Sequence, residues 1–275
     1  MFIPDSKDEC LKAAATIFNG KFGNSGNVLV LEEKIQGPEV SVFALCDGER
    51  YVLLPSAQDH KRLNEKDKGP NTGGMGAYSP APLLTDDYLN TITKEIIEPT
   101  INELNKKNID YKGVIYFGLM ITKSGPKVIE YNCRFGDPEC QTIMPLMDQD
   151  FVFLLEKCSM GNLTYGEKIN TSDKVSGCVI ATSKGYPHEY KTGYQIKIGK
   201  IDLNDCQIFD SGTSFSKSGK LLTAGGRVLS IVCQDKDFDT VFEKAYKNLK
   251  EIHFEGIYFR NDIGHQVRKN FSKEN

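Results

Sequence analysis

Apolar residues at positions 11, 14, 15 and 18 recur at helical spacing behind Ser6 and Glu9, a capping-box pair, and Asn19-Gly20 ends the run. The chain is expected to open with an amphipathic helix. Val28 to Leu31 then reads as a strand, and the apolar runs Ser41 to Cys46 and Tyr51 to Leu54, joined through Asp47-Gly48, predict an antiparallel hairpin. The pattern breaks from 59 to 82, a polar, glycine-rich stretch without periodicity. Compact domains keep such loops mainly where they bind something.

Leu89, Ile92, Ile96 and Leu104 mark a long helix bent at Pro99. Gly113 to Thr122 and Lys127 to Tyr131 form a second hairpin across Ser124-Gly125, and Asp150 to Cys158 is a further helix. After polar residues 161 to 174 come short strands around Cys178 to Ala181, Tyr194 to Ile198, Gln207 to Phe209 and Arg227 to Cys233. A helix from Asp237 to Lys250, apolar at 238, 242, 245 and 249, closes this part. The elements predict an α+β protein with a domain boundary near 165 to 175.

With 275 residues and 39% hydrophobic content the chain can bury one large core or two ordinary ones. Its 34 Lys+Arg against 37 Asp+Glu give a net charge of −3, so no global positive field draws it to nucleic acid or anionic lipid. No apolar stretch is long enough to span a membrane, and the first residues lack the features of a signal peptide, so a cytoplasmic location is expected. The eight cysteines, without a C-x-x-C pair, read as buried reduced thiols rather than zinc ligands or disulfides.

Candidate chemistry concentrates in three places. Glu130 and Asn132, two apart on a strand, leave the same face as two hard oxygen donors, which suits Mg²⁺ completed by substrate phosphates. Alone such a pair is ordinarily a solvated strand end, but Arg134, Asp137 and Glu139 follow at once around Gly136 and Pro138, and a turn would gather them. Asp59-His60-Lys61-Arg62 would pass for a charged surface loop were it not followed by Asn71-Thr72-Gly73-Gly74-Met75-Gly76, whose glycines can expose backbone N–H groups to an anion. Glu32 to Ile35 and Glu39 could offer backbone groups to a base edge and a carboxylate to a sugar. Lys184, His188 and Lys191 read as a solvated face and Gly225-Gly226-Arg227 as a bulge.

Together, Gln58 to Arg62, Gly69 to Pro82 and Glu130 to Glu139 resemble the phosphoribosylamine–glycine ligase family of ATP-grasp enzymes, and Lys184 to Pro187, Thr223 to Val228 and Arg260 to Gly264 extend the resemblance over nearly the whole chain. It implies a partial ATP-grasp core followed by a small mixed α/β carboxy-terminal domain: 1–34 a remnant of the nucleotide-clamping subdomain, 35–168 the core, and 169–275 the last domain. It implies ATP as co-substrate, Mg²⁺ or Mn²⁺ as metal, and glycine and 5-phosphoribosylamine as small-molecule substrates. Glu130 and Asn132 would hold the metal. Glu33, Lys34 and Ile35 would line the adenine and Glu39 the ribose.

Asp59, His60, Lys61, Arg62, Gly73, Gly74, Gly76 and Glu139 would bind substrate, with Arg134 and Asp137 catalytic. The family's amino-terminal domain, lysine-bearing strand and glycine-rich phosphate loop have no counterpart in these residues. The chain is therefore expected to act with an amino-terminal ligase domain, or in a longer parent that includes other purine-pathway domains. Taken alone it is expected to turn over little, or to bind nucleotide or phosphosugar weakly.

Overall fold

The computed structural model describes residues 2–164, 166–167 and 169–269. The chain forms two compact units, Met1–Gly37 and Pro38–Asn275. In the first, α1 (Lys7–Thr16) starts as its sequence dictates: Ser6 Oγ accepts from Glu9 N–H at 3.2 Å, and the Glu9 carboxylate accepts from Asp5 N–H at 2.8 Å. The helix unwinds where Asn19 and Gly20 leave helical geometry, Gly20 at φ 92°. The strand expected at Val28 to Leu31 is absent. Those residues are extended and unpaired, with Val28 78% and Leu31 77% exposed, because the described residues of this unit supply no second strand to pair with them.

The second unit is built on two antiparallel sheets. The first has the order β2-β1-β7-β8, from β1 (Glu39–Asp47), β2 (Tyr51–Leu53), β7 (Lys112–Thr122) and β8 (Gly125–Asn132). Its center is buried on both sides, which explains the unbroken apolar run of β1. Val42, Ala44, Phe117 and Leu119 face α2 (Asp86–Ile92) and α3 (Glu98–Lys106) through Ile92, Ile97 and Ile101. Phe43, Leu45, Val114 and Tyr116 face Leu154 and Cys158 of α5 (Phe151–Met160), whose N-cap Asp150 accepts from Phe153 N–H at 3.1 Å. Between α2 and α3 the helix widens by one residue over Thr93–Ile97, ahead of the missing N–H of Pro99.

The stretch 59 to 82, expected to be irregular, instead holds β3 (Gln58–Asp59), β4 (Arg62–Asn64), β5 (Lys68–Asn71) and β6 (Gly76–Ser79). Strands of two to four residues are too short to leave a period in sequence. β4 pairs with β5, while β3 and β6 join the second sheet, ordered β11-β14-β9-β6-β3. Its long members are β9 (Val175–Ser183), β11 (Cys206–Asp210) and β14 (Arg227–Asp235), and α6 (Phe238–Leu249) covers it through Val241, Phe242, Ala245 and Leu249. β16 (Ile257–Tyr258) also pairs with β9. The expected strand at Tyr194 to Ile198 shrinks to β10 (Lys197–Ile198), paired with β15 (Ile252–His253), and β12 (Thr213–Phe215) pairs with β13 (Leu221–Thr223).

The cysteine expectation needs correcting at one pair. Cys206 and Cys233 stand directly opposite on β11 and β14, Cα atoms 4.1 Å apart, and form a disulfide. They are 27 residues apart in sequence, and only the strand pairing brings them together. Cys46, Cys158 and Cys178 are free and buried, whereas Cys133 is exposed.

Candidate active site

The pairing of β1, β7 and β8 places Ser41, Gly118 and Glu130 in one row and Phe43, Tyr116 and Asn132 in the next, so Glu39, Ser41, Glu130 and Asn132 share a face. The ladder slips between Gly118 and Leu119, leaving Ile129 as an extra residue just before Glu130. Such a bulge re-aims the side chains that follow it. Gly118 then makes room: a Cβ there would come 2.8 Å from Glu130 Cγ. A lone glycine inside an apolar strand is the sequence signal for a bulge or a close approach, and here it marks both.

Over this face lie residues from two other segments. Lys61 Nζ is 2.7 Å from Glu39 Oε2 and 3.4 Å from Glu130 Oε1. Glu139, first residue of α4 (Glu139–Ile143), is buried and accepts from Ser41 Oγ at 3.0 Å, with Tyr116 Oη 3.0 Å from the same hydroxyl. Burial opposes the charge of Lys61, but the carboxylates of Asp59 and Glu39 outweigh it and hold the ammonium firmly charged. Burial, reinforced by Glu139, pushes the Asp59 carboxyl well above its usual range, and burial also raises Glu139. Four carboxyl groups thus converge on one ammonium.

A second cluster adjoins the first through the 134–139 turn. Arg227 at the start of β14 donates to Gly73 O, to Asp137 O at 3.0 Å and to the Asp137 carboxylate. Tyr186 Oη accepts from Gly73 N–H at 2.9 Å. Arg227, expected to be only part of a bulge, therefore ties the Gly73 loop to the Asp137 turn. The bulge is also present, as the register slips between Arg227 and Leu229.

Several expected roles change. The N–H groups of Gly73, Gly74 and Met75 are engaged by Tyr186 Oη, Thr72 Oγ1 and His60 O, so the loop is not an open anion nest. Its glycines serve close packing instead: Gly74 has φ +105° and a Cβ there would meet Pro138 Cδ at 2.4 Å, while one at Gly76 would meet Cys178 O at 2.5 Å. Arg134 donates to Phe135 O at 2.8 Å within its own turn, and the Asp137 carboxylate pairs with Arg227. Arg62 donates to Gly69 O at 2.8 Å across the β4–β5 hairpin. Glu33, Lys34 and Ile35 belong to the first unit, where Lys34 pairs with Asp5.

His60 is turned into the protein, 1% exposed, with Nε2 2.9 Å from Gln266 Oε1 and accepting from Gly264 N–H at 3.2 Å. Burial, reinforced by the Arg260 guanidinium, lowers its pKa from 6.5 to about 4. It is neutral in the fold at neutral pH and is a packing residue, not a cation facing substrate. Between pH 6.5 and 4 the unfolded chain binds the extra proton, so the contribution of His60 is complete above pH 6.5 and is lost as pH falls toward 4. The shift corresponds to about 3 kcal/mol. Asp59 and Glu139, raised by burial, act in the opposite sense, so the check is comparative. His60→Gln should flatten the dependence of the urea midpoint on pH across this window; parallel wild-type and variant curves would contradict the assignment.

The donor set fits a hard divalent cation. Glu130 and Asn132 present oxygens from one strand face, and the place between Glu130 and Glu39 already attracts a cation in the form of Lys61. Among the described residues no group of three or more His, Cys, Asp or Glu could hold an ion, so the pair needs further oxygens for a full shell. Among the described residues, too, no helix is long and apolar enough to cross a membrane.

Against known proteins, residues 1–140 match the family model described as phosphoribosylglycinamide synthetase, ATP-grasp (A) domain, and residues 176–266 match the phosphoribosylglycinamide synthetase C domain. The chain belongs to the phosphoribosylglycinamide synthetase family. It is 47% identical over 242 residues to the phosphoribosylamine–glycine ligase of Caldanaerobacter subterraneus subsp. tengcongensis, covering 88% of this chain and 57% of that relative. It is 41% identical over 269 residues to the trifunctional purine biosynthetic protein adenosine-3 of Gallus gallus, covering 97% of this chain and 27% of the relative.

The crystal structure of phosphoribosylamine–glycine ligase from Thermotoga maritima superposes with a TM-score of 0.82 at 32% identity, covering 95% of this chain and 64% of that one. The chain thus spans less than two thirds of the relatives it matches. Membership in this synthetase family confirms the ATP-grasp and C-domain architecture implied by the three sequence motifs.

Proposed function

We propose that this chain supplies the metal and substrate loops of an ATP-dependent ligase that joins glycine to 5-phosphoribosylamine, giving glycinamide ribonucleotide for purine biosynthesis in the cytoplasm. The observation that carries the reading is the convergence of three motifs distant in sequence. Lys61 meets Glu130, and Gly73 meets Asp137 through Arg227. Family membership supports this ligation as the reading of that chemistry.

Glu130 and Asn132 are the residues that would hold Mg²⁺ or Mn²⁺, which when bound neutralizes phosphate charge and orients the γ-phosphoryl group. In the proposed reaction a glycine carboxylate oxygen attacks the γ-phosphorus, the bond to the β-γ bridging oxygen breaks, and ADP leaves with that electron pair. The amine of phosphoribosylamine attacks the carbonyl carbon of the resulting glycyl phosphate, phosphate departs, and the amine proton is released. No side-chain nucleophile takes part; positioning and charge do the work. Lys61 and Arg227 are cations at the site, and Glu39 is assigned to the ribose. Domains like those of the trifunctional relative are the partner class the reading allows.

The test is ADP release by the natural polypeptide that carries these residues, with glycine and freshly generated phosphoribosylamine supplied separately and together. Release that requires both is expected. Release indifferent to glycine, or supported equally by other amino acids, would assign a different carboxylate–amine ligation, and nucleotide binding without any release would leave a binder.

A further inference from the structure

Glu39 and Glu130 stand on the first and last of three adjacent strands, and the gap between them is bridged by one ammonium, that of Lys61. The Glu39 and Glu130 side chains are 37% and 46% exposed, so this gap opens to solvent where a ligand would enter, while Lys61 is 25% exposed and held from behind. Loss of that ammonium would leave the Glu39 and Glu130 carboxylates facing each other across the gap without a counter-ion between them. An ammonium and a divalent ion cannot both lie against Glu130 Oε1, the oxygen that Lys61 Nζ faces at 3.4 Å.

We propose that Lys61 is a specificity-determining residue that makes metal entry conditional on nucleotide, a role that rests on the metal and nucleotide reading of the same site. Its ammonium takes the cation's place between Glu39 and Glu130 and keeps a bare divalent ion out. A metal–nucleotide differs from a bare ion because it brings phosphate oxygens, to which the displaced ammonium can turn. Lysine suits the exchange, being a compact charge on a flexible four-carbon stem rather than a planar fork fixed by two bonds. Metal and nucleotide therefore favor each other's binding, and the coupling passes through this one side chain.

The test measures free Mn²⁺ by electron paramagnetic resonance during titration of the purified chain, with and without ADP, for wild type and Lys61→Met. Lys61→Met should bind bare Mn²⁺ roughly tenfold tighter than wild type and Mn²⁺–ADP more weakly, since the competing charge and the phosphate partner are lost together. A simple loss of fold weakens both and cannot produce that crossing; Lys61→Gln, with a thermal melt of each protein, is the second variant. Bare Mn²⁺ affinity that is unchanged or weaker in the folded variants, including no binding by any of them, overturns the role of Lys61. Adding Glu130→Gln to Lys61→Met separates the two levels. Persistence of Mn²⁺ binding in that double variant sinks the metal reading, whereas its loss without tightening in Lys61→Met sinks only the present inference.

Discussion

Under the proposed metal role, Glu130→Gln is expected to weaken Mn²⁺ binding in the presence of ADP on the order of 100-fold, with the proposed ligation falling at least as far. The substitution keeps the side chain's length and one oxygen but removes the charge, and Asn132, its companion on the strand face, is neutral. No charged donor would then remain in the pair. Glu130 is half-exposed and among the described residues its carboxylate pairs ionically with Lys61 alone, at 3.4 Å, so the fold should tolerate the change to within about 1 kcal/mol. A calorimetric titration of Mn²⁺–ADP, paired with a urea melt, separates the outcomes. Unaltered affinity would remove Glu130 from the metal site, and a large stability loss would make its role structural.

Arg260→Met should be strongly destabilizing. Its guanidinium is fully buried; Nε and Nη2 donate to the two oxygens of Asp262 at 2.8 and 2.9 Å, and Nη1 donates to Arg62 O at 2.9 Å and pairs with Asp67 at 2.9 Å. Burial works against the Arg260 charge, yet Asp262 and Asp67 more than compensate and hold it protonated. Methionine fills part of the volume and leaves the buried Asp262 carboxylate without its counter-ion, which costs about 3–5 kcal/mol. Removing both charges with Arg260→Met and Asp262→Leu should recover much of that loss, since the penalty lies in the unpaired member. Urea denaturation reads it. A single-variant loss under about 1 kcal/mol would show that water reaches the site and replaces the arginine.

The sequence made visible what depends on neighbors in the chain. The Ser6 cap, both long hairpins and the run of β1 were legible because each is set by residues a few positions apart. So was the grouping of Glu130 with Asn132. What stayed hidden is set by distant partners. Arg227 reaches Gly73 across 154 positions and Asp137 across 90, and no local pattern distinguishes it from any arginine opening a strand. His60 sits between two charged-looking neighbors in sequence, but the 260–266 segment, about 200 residues on, decides that it is buried and neutral. The extra residue at Ile129 was equally silent, although Gly118 opposite was its one readable trace. Val28 to Leu31 failed in the other direction, since a strand's existence is a property of its partner as much as of its own residues.

The place of β9 between β14 and β6 also bears on how the molecule is made. Gly76–Ser79 pairs on one side with the short β3, but on the other its ladder partners lie at Ser176–Val179, and those in turn are flanked by β14 at residues 227–235. As the nascent chain leaves the ribosome, the segment that carries Lys61 and Gly73 must wait about 100 residues for its neighbor, several seconds at ordinary rates of synthesis. Over that interval the sheet of β1, β7 and β8 can already close, whereas the second sheet remains an open edge needing protection from other chains. The cluster of Lys61, Gly73 and Arg227 should therefore form late in translation and all at once.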